Sequence, residues 1–303
     1  MVGVLLALDL GLFQKKSHAI GLREALVATS IRVLLAVAFG AGIWSGWIGD
    51  YADAAASRQA GSEYFLSYLL EIALSVDNVF VFALLFQYFR VPPELQPRVL
   101  FWGILGALAM RAGLIIAGIA LVERFHWILY AFALLLIYGG VKMMRDDKED
   151  SDPSKNPVVK LFHRLVPMTD DYRGSKFLVN EGGRRLATPL CLVLVAIETT
   201  DLIFAIDSVP AVLGVTRDFF IVFTSNVFAI LGLRSLYFAL AGIIKMFRFL
   251  HYGLSAILIF IGVKMLLHGT PMEIHTGQSL IFVVVLLGSS IVASLVFPER
   301  GKS

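Results

Sequence analysis

Apolar runs long enough to cross a bilayer recur along most of this chain, and they fix its fold class before any single residue is considered. They lie at about 24–48, 63–90, 98–122, 126–144, 188–214, 218–246, 251–268 and 277–297, and a span needs about 20 residues. Hydrocarbon offers the backbone no water, so each run must close its hydrogen bonds internally as a helix. A further run at residues 1–13 is short for a span and carries Asp9. It lacks the basic start and small-residue cleavage site of a signal peptide, and it reads as a short or truncated first helix. The expectation is an all-α polytopic membrane protein with about nine transmembrane helices. Charged residues make up only 16% of the 303 and mean hydropathy is +0.79, where a soluble domain is about 25% charged.

Basic residues predict the orientation. Lys15, Lys16 and Arg23, then Arg90 and Arg98, then the many Lys and Arg of the 145–187 loop, then Lys245, Arg248, Arg300 and Lys302 fall on alternate connections. The intervening connections hold little beyond Arg58, Arg124 and Arg217. Nine spans therefore put the amino terminus outside and the carboxyl terminus in the cytoplasm. The 145–187 loop begins with RDDKEDSDPSKNP, a solvated, mixed-charge linker. Its later stretch KFLVNEGGRRLAT alternates apolar and polar residues about Gly182 and Gly183, which predicts a small hairpin. No basic patch interleaved with aromatics suggests nucleic acid. The lone Cys191 excludes an intramolecular disulfide.

Two apolar runs carry acids, and they say nearly the same thing. LEIALSVDNVFVF at 70–82 holds Glu71 and Asp77; IETTDLIFAIDSVPAVL at 197–213 holds Glu198, Asp201 and Asp207. Aligning Asp77-Asn78-Val79 on Asp207-Ser208-Val209 puts Glu71 on Asp201. GILGALAMR at 103–111 then matches NVFAILGLR at 226–234, and YGGVKMM at 138–144 matches FIGVKML at 260–266. Each copy is three helices, so an odd number of spans forces the copies to insert with opposite orientation. Two inverted three-helix repeats are a recurring architecture of secondary transporters, whose sites lie near midplane between the repeats.

A carboxylate in hydrocarbon costs a few kcal/mol at least and is by default a functional statement. Residues six apart lie about 120° out of phase on a helix, so the acids of one copy face different neighbours unless the helix breaks. Pro210 cannot donate a backbone bond and frees the carbonyl of Ile206 beside Asp207. With Asn78, Ser208 and nearby Ser75, Thr199, Thr200 and Asn226, these acids form an all-oxygen donor set. It suits Mg²⁺, Ca²⁺ or Mn²⁺ better than Cu(I) or Zn²⁺. Candidate metal ligands are thus Glu71, Asp77, Asn78, Glu198, Asp201, Asp207 and Ser208, with Arg111 and Arg234 as charge partners. The competing structural reading makes those arginines glue for the acids; two pairs would still leave three acids unbalanced. Lys142 and Lys264 lie near helix ends and are expected to snorkel. The histidines are scattered and show no ligand spacing.

SVDNVFVF, FWGILGALAMR, ERFHWILY, ATPL, IETTDLIFAIDSVPA and FTSNVFAILGLRSLYF together resemble the TerC family of integral membrane proteins, over effectively the whole chain. The resemblance implies an inner-membrane protein associated with tellurite (tellurium) resistance and, in bacterial members, with manganese efflux. Plant relatives acting in thylakoid biogenesis keep an assembly role open. The family's acidic motifs fall on Glu71, Asp77, Glu198, Asp201 and Asp207, and its first-helix acid on Asp9.

The reading that follows is a secondary transporter exporting a divalent cation, Mn²⁺ first, with protons as the coupling ion and the lipid bilayer as its environment. The chain divides into N-terminal helices (1–50), repeat 1 (62–145), the cytoplasmic loop (146–187), repeat 2 (188–268) and a C-terminal helix and tail (277–303). The alternative is a membrane scaffold assisting insertion or metal loading of other proteins. No Walker motif appears, and no nucleophile–base pair stands near the acids to make an enzyme.

Overall fold

A computed structural model describes residues 22–125, 127–145, 161–162, 164, 166–181, 183–240, 249–268 and 270–296. It leaves out the side chains of Leu22, Val76, Asp77, Phe80, Arg234, Ser235, Ala239 and Leu240. The run at 1–13, with Asp9, lies outside the described residues. Eight long helices occur among them: α1 (Leu22–Trp44), α2 (Ala54–Tyr88), α3 (Gln96–Arg124), α4 (Ile128–Arg145), α5 (Pro189–Leu213), α6 (Phe219–Leu240), α7 (Leu250–Leu267) and α8 (Thr276–Val296). Six of these, all but α2 and α6, are long and apolar enough to cross a membrane. Large apolar side chains stay exposed along them, such as Leu34, Ile116, Leu134, Ile281 and Val285. A soluble protein does not leave so many uncovered; here they face lipid.

Helix α2 starts well before the expected 63. The carboxylate of Asp53 accepts hydrogen bonds from the amides of Ala55 (2.9 Å) and Ala56 (2.7 Å), which caps a helix begun by the favourable run Ala54-Ala55-Ala56. The result is 35 residues long, with a polar first third that hydropathy alone assigns to a loop. Helices α3 and α5 begin with Pro97 and Pro189 in their first turns, where a missing N–H costs nothing. Pro210 sits inside α5, which runs unbroken from Pro189 to Leu213.

The two G-V-K-M helices, α4 and α7, cross closely. A Cβ on Gly140 would lie 2.7 Å from the carbonyl oxygen of Ser255 and 2.7 Å from Ile259. A Cβ on Gly262 would lie 2.7 Å from the carbonyl oxygen of Ala133 and 2.7 Å from Ile137. Only glycine lets the backbones approach so far. The contacts are reciprocal: 133 and 255, 137 and 259, and 140 and 262 are each 122 apart. Because the end of α4 meets the start of α7 and the reverse, the helices run antiparallel. Helix α2 packs on α1, α5, α6 and α8, while α3 packs on α5 and α6.

Between α4 and α5 the chain forms the hairpin. Strand β1 (Leu178–Glu181) pairs antiparallel with β2 (Arg184–Ala187), with Glu181 opposite Arg184. Gly183 takes φ +76° at the turn, which its missing Cβ permits. This piece docks on the bundle end near Phe89. The Tyr172 hydroxyl donates to the Phe89 carbonyl at 2.8 Å, and Arg98 lies over the Phe177 ring at 5.6 Å.

Candidate functional site

Helix α3 carries Arg111 near its middle, and the guanidinium is almost wholly buried, at 2% exposure. Its five N–H donors need acceptors where water is absent. Nη1 donates to Glu71 Oε2 of α2 at 2.6 Å, while Nε and Nη2 fork onto the two oxygens of Asp201 of α5, both at 3.2 Å. Nη1 also donates to Ser208 Oγ at 3.2 Å. One cation thus joins three helices and answers two buried carboxylates. As drawn, the group keeps one formal negative charge unless a proton is shared. The Arg–carboxylate fork sets both distance and orientation.

The spacing that matters is seven residues. Asp201 and Ser208 are two turns apart on one face of α5, and both reach Arg111. Glu71 and Asn78 stand in the same relation on α2, and Asn78 is buried beside the same arginine. Asp207, one residue before Ser208, points to a different neighbour. It lines a cavity of about 280 Å³ with Leu74, Asn78, Arg111, Gly139, Lys142 and Ser208 among its walls. Gly139 lies across from it: a Cβ there would stand 3.9 Å from Asp207 Oδ1, an ordinary contact. Lys142 is near enough to Asp207 to act on it electrostatically.

Glu198 stands apart from this group. Its carboxylate fills the space a Cβ would take on Gly106 of α3, and its Oε2 is buried without a hydrogen-bond partner among the described residues. Thr199 and Thr200 turn their hydroxyls back to the carbonyls of Val195 and Ala196, both at 2.7 Å, so those protons are already used within α5. The side chains of Asp77 and Arg234 lie outside the described residues, as does Asp9.

The sequence-predicted residues therefore separate into an ionic knot (Glu71, Asp201, Ser208 with Arg111), a cavity wall (Asn78, Asp207) and an isolated acid (Glu198). Among the described residues no three His, Cys, Asp or Glu side chains gather as metal ligands. The structural-glue reading therefore applies to Glu71 and Asp201 at Arg111. Gly106 seats Glu198, and nothing in the sequence sets it apart from the other glycines of α3. The snorkelling expectation is corrected for Lys264, which is buried at 8% exposure, while Lys142 is exposed at the cavity wall.

Residues 56–302 match the family model described as "Integral membrane protein TerC family". A Myxococcus xanthus protein named "Uncharacterized membrane protein STKORF319" is 46% identical over 292 residues, covering 96% of this chain and 88% of that protein. Proteins named "Putative membrane-bound redox modulator Alx" are also similar. The one from Photorhabdus laumondii is 46% identical over 88% of this chain and 83% of its own length. The one from Escherichia coli K12 is 44% identical over 91% and 87%. No solved structure matches the chain significantly.

Proposed function

The chain belongs to the TerC family of integral membrane proteins, and from that premise we propose that it is a secondary transporter exporting a divalent cation, Mn²⁺ first, in exchange for protons. The observation that carries this reading is the cavity beside Arg111, with Asp207, Asn78 and Ser208 on its wall. It offers oxygen donors and one carboxylate that makes no ion pair with Arg111 among the described residues, with Lys142 on the same wall. A hard cation seeks such donors. The neighbouring knot holds α2, α3 and α5 in register, so that the wall keeps its shape.

The architecture in this reading has nine spans and two inverted three-helix repeats, α2–α4 and α5–α7, in a bacterial inner membrane with the carboxyl terminus in the cytoplasm. The reciprocal crossing of Gly140 and Gly262 supports it, as does the pairing of α2 with α6 and of α3 with α5, since a two-fold axis exchanges those pairs. Exchange needs no enzyme chemistry in this reading. A scaffold assisting insertion or metal loading of other proteins is the second reading, and the redox-modulator name of relatives is compatible with either. Thiol exchange within one chain is not, because Cys191 is the single cysteine.

The test is Asp207→Asn in vesicles loaded with Mn²⁺, with and without a pH gradient. The substitution keeps volume and removes the carboxylate charge on the cavity wall. Flux should fall at least tenfold while thermal stability in detergent holds, because Asp207 is only half-buried and makes no ion pair among the described residues. Wild-type flux in a folded Asp207→Asn protein sinks the cation site, and absence of flux in the wild type favours the scaffold.

A further inference from the structure

A second cavity lies at the bundle end formed by the start of α2, the ends of α5 and α7 and the start of α8. At about 520 Å³ it is larger than the cavity at Asp207 and shares no wall residue with it. Its charged walls are unevenly satisfied. Glu63 Oε1 accepts from Gln59 Nε2 at 2.9 Å, and Glu273 Oε1 meets His268 Nδ1 at 2.9 Å. Both acids therefore have partners. Lys264, in the floor, has none: its Nζ is buried and makes no hydrogen bond among the described residues. Arg217, half-buried on the wall, makes no ion pair among them either.

The first residues of α8, Thr276 and Gly277, line the same space. A helix of 21 residues leaves its leading amides unsatisfied there, with the positive end of its dipole. His275 stands beside them, and Gly277 has open space where a Cβ would be. A buried ammonium without a partner asks for an ion or water to complete it. Glu63 and Glu273 act on Lys264 at longer range, but neither accepts a hydrogen bond from its Nζ.

We propose that this cavity binds a compact oxyanion, held by Lys264, Arg217 and the N-terminal amides of α8. Helix N-termini joined to a basic side chain are ready-made anion sites. The anion would give the Lys264 ammonium the hydrogen-bond acceptor it lacks and tie the end of α7 to the start of α8. The oxygens could come from a free anion in solution or from the phosphate of an anionic lipid, since the cavity opens at an end of the spanning helices. The inference stands apart from the transport reading and requires no flux.

The experiment is binding to the purified, detergent-solubilised full chain, followed by thermal stability and calorimetry. Inorganic phosphate and sulfate are titrated against sodium chloride of matched ionic strength, and in a second arm short-chain phosphatidylglycerol against phosphatidylcholine. Ligands that bind only the folded state raise its stability saturably. Wild type should respond to phosphate or to phosphatidylglycerol, and Lys264→Met and Arg217→Gln should each weaken that response at least tenfold. Lys264→Met removes an unpaired buried charge and should fold at least as well as wild type. A response to the lipid alone assigns the oxyanion to a headgroup. No response beyond chloride in either arm, or an undiminished one in Lys264→Met, overturns the proposal.

Discussion

The crossing of α4 and α7 and the knot around Arg111 are built from matched stretches of sequence, yet they behave oppositely. At the crossing each copy contributes the same thing: Gly140 meets Ser255 and Ile259 as Gly262 meets Ala133 and Ile137. At the knot the copies diverge. Glu71 and Asp201 are matched positions, but both turn to one arginine, Arg111. The matched Asn78 and Ser208 also split, since Ser208 binds Arg111 while Asn78 makes no side-chain hydrogen bond among the described residues. Glu198 in the second copy stands where the first has Tyr68, which packs with Phe228 and Ala229. Backbone packing tolerates symmetry because glycine answers the same need twice. At Arg111 the matched acids differ in length and engage it differently, Glu71 through one oxygen and Asp201 through a fork.

The largest effect expected from breaking this contrast comes at the knot. Arg111→Met leaves Glu71 and Asp201 buried without a cation, which should cost about 3–5 kcal/mol. Adding Glu71→Gln and Asp201→Asn should recover most of the loss, because the stranded charges go with their partner. Thermal melts of the single and triple variants in detergent measure this. A triple variant no more stable than Arg111→Met would mean that packing of the arginine stem, not its charge, holds the three helices.

At the crossing the effect should be smaller and equal on both sides. Gly140→Val and Gly262→Val each drive a side chain into a backbone carbonyl, and overpacking of this kind costs about 1–3 kcal/mol. Reciprocity predicts that the two losses are similar in size. A large loss at one glycine and none at the other would show that the copies carry unequal load.

Much of this contrast could be read from sequence, and the unread part has a common cause. Six helices apolar enough to span followed from hydropathy because lipid leaves the backbone one solution. The hairpin followed from Gly182 and Gly183 and the alternation around them. Arg111 was identifiable as a partner from its place in an apolar run. What escaped was geometry between helices: the six-residue spacing of the acids drew attention, whereas the seven-residue pairs Glu71/Asn78 and Asp201/Ser208 share the faces turned to Arg111. The early start of α2 escaped because Asp53 and the alanines after it promote a helix without being apolar. The burial of Lys264 escaped because helix-end position alone does not say whether a neighbour covers it.

The smallest effect sharpens the comparison most, since it asks which copy holds the arginine. Ser208→Ala removes an acceptor from Arg111 Nη1 but leaves that nitrogen donating to Glu71 at 2.6 Å. The guanidinium keeps its fork on Asp201, so no donor is stranded that had no other partner. A hydrogen bond of this kind is worth about 0.5–1.5 kcal/mol net, and its 3.2 Å length places the expected loss near about 1 kcal/mol. Asn78→Ala, at the matched position, removes no hydrogen bond to a described residue and borders a cavity, so it should cost less than Ser208→Ala despite deleting more atoms. Melting curves of the two variants and of the double variant give the comparison directly. Equal losses, or a larger one at Asn78, would place Arg111 between the two copies and remove the asymmetry on which the separation of knot from cavity wall depends. A loss confined to Ser208 would leave Asn78 free on the cavity side, available with Asp207 to whatever enters.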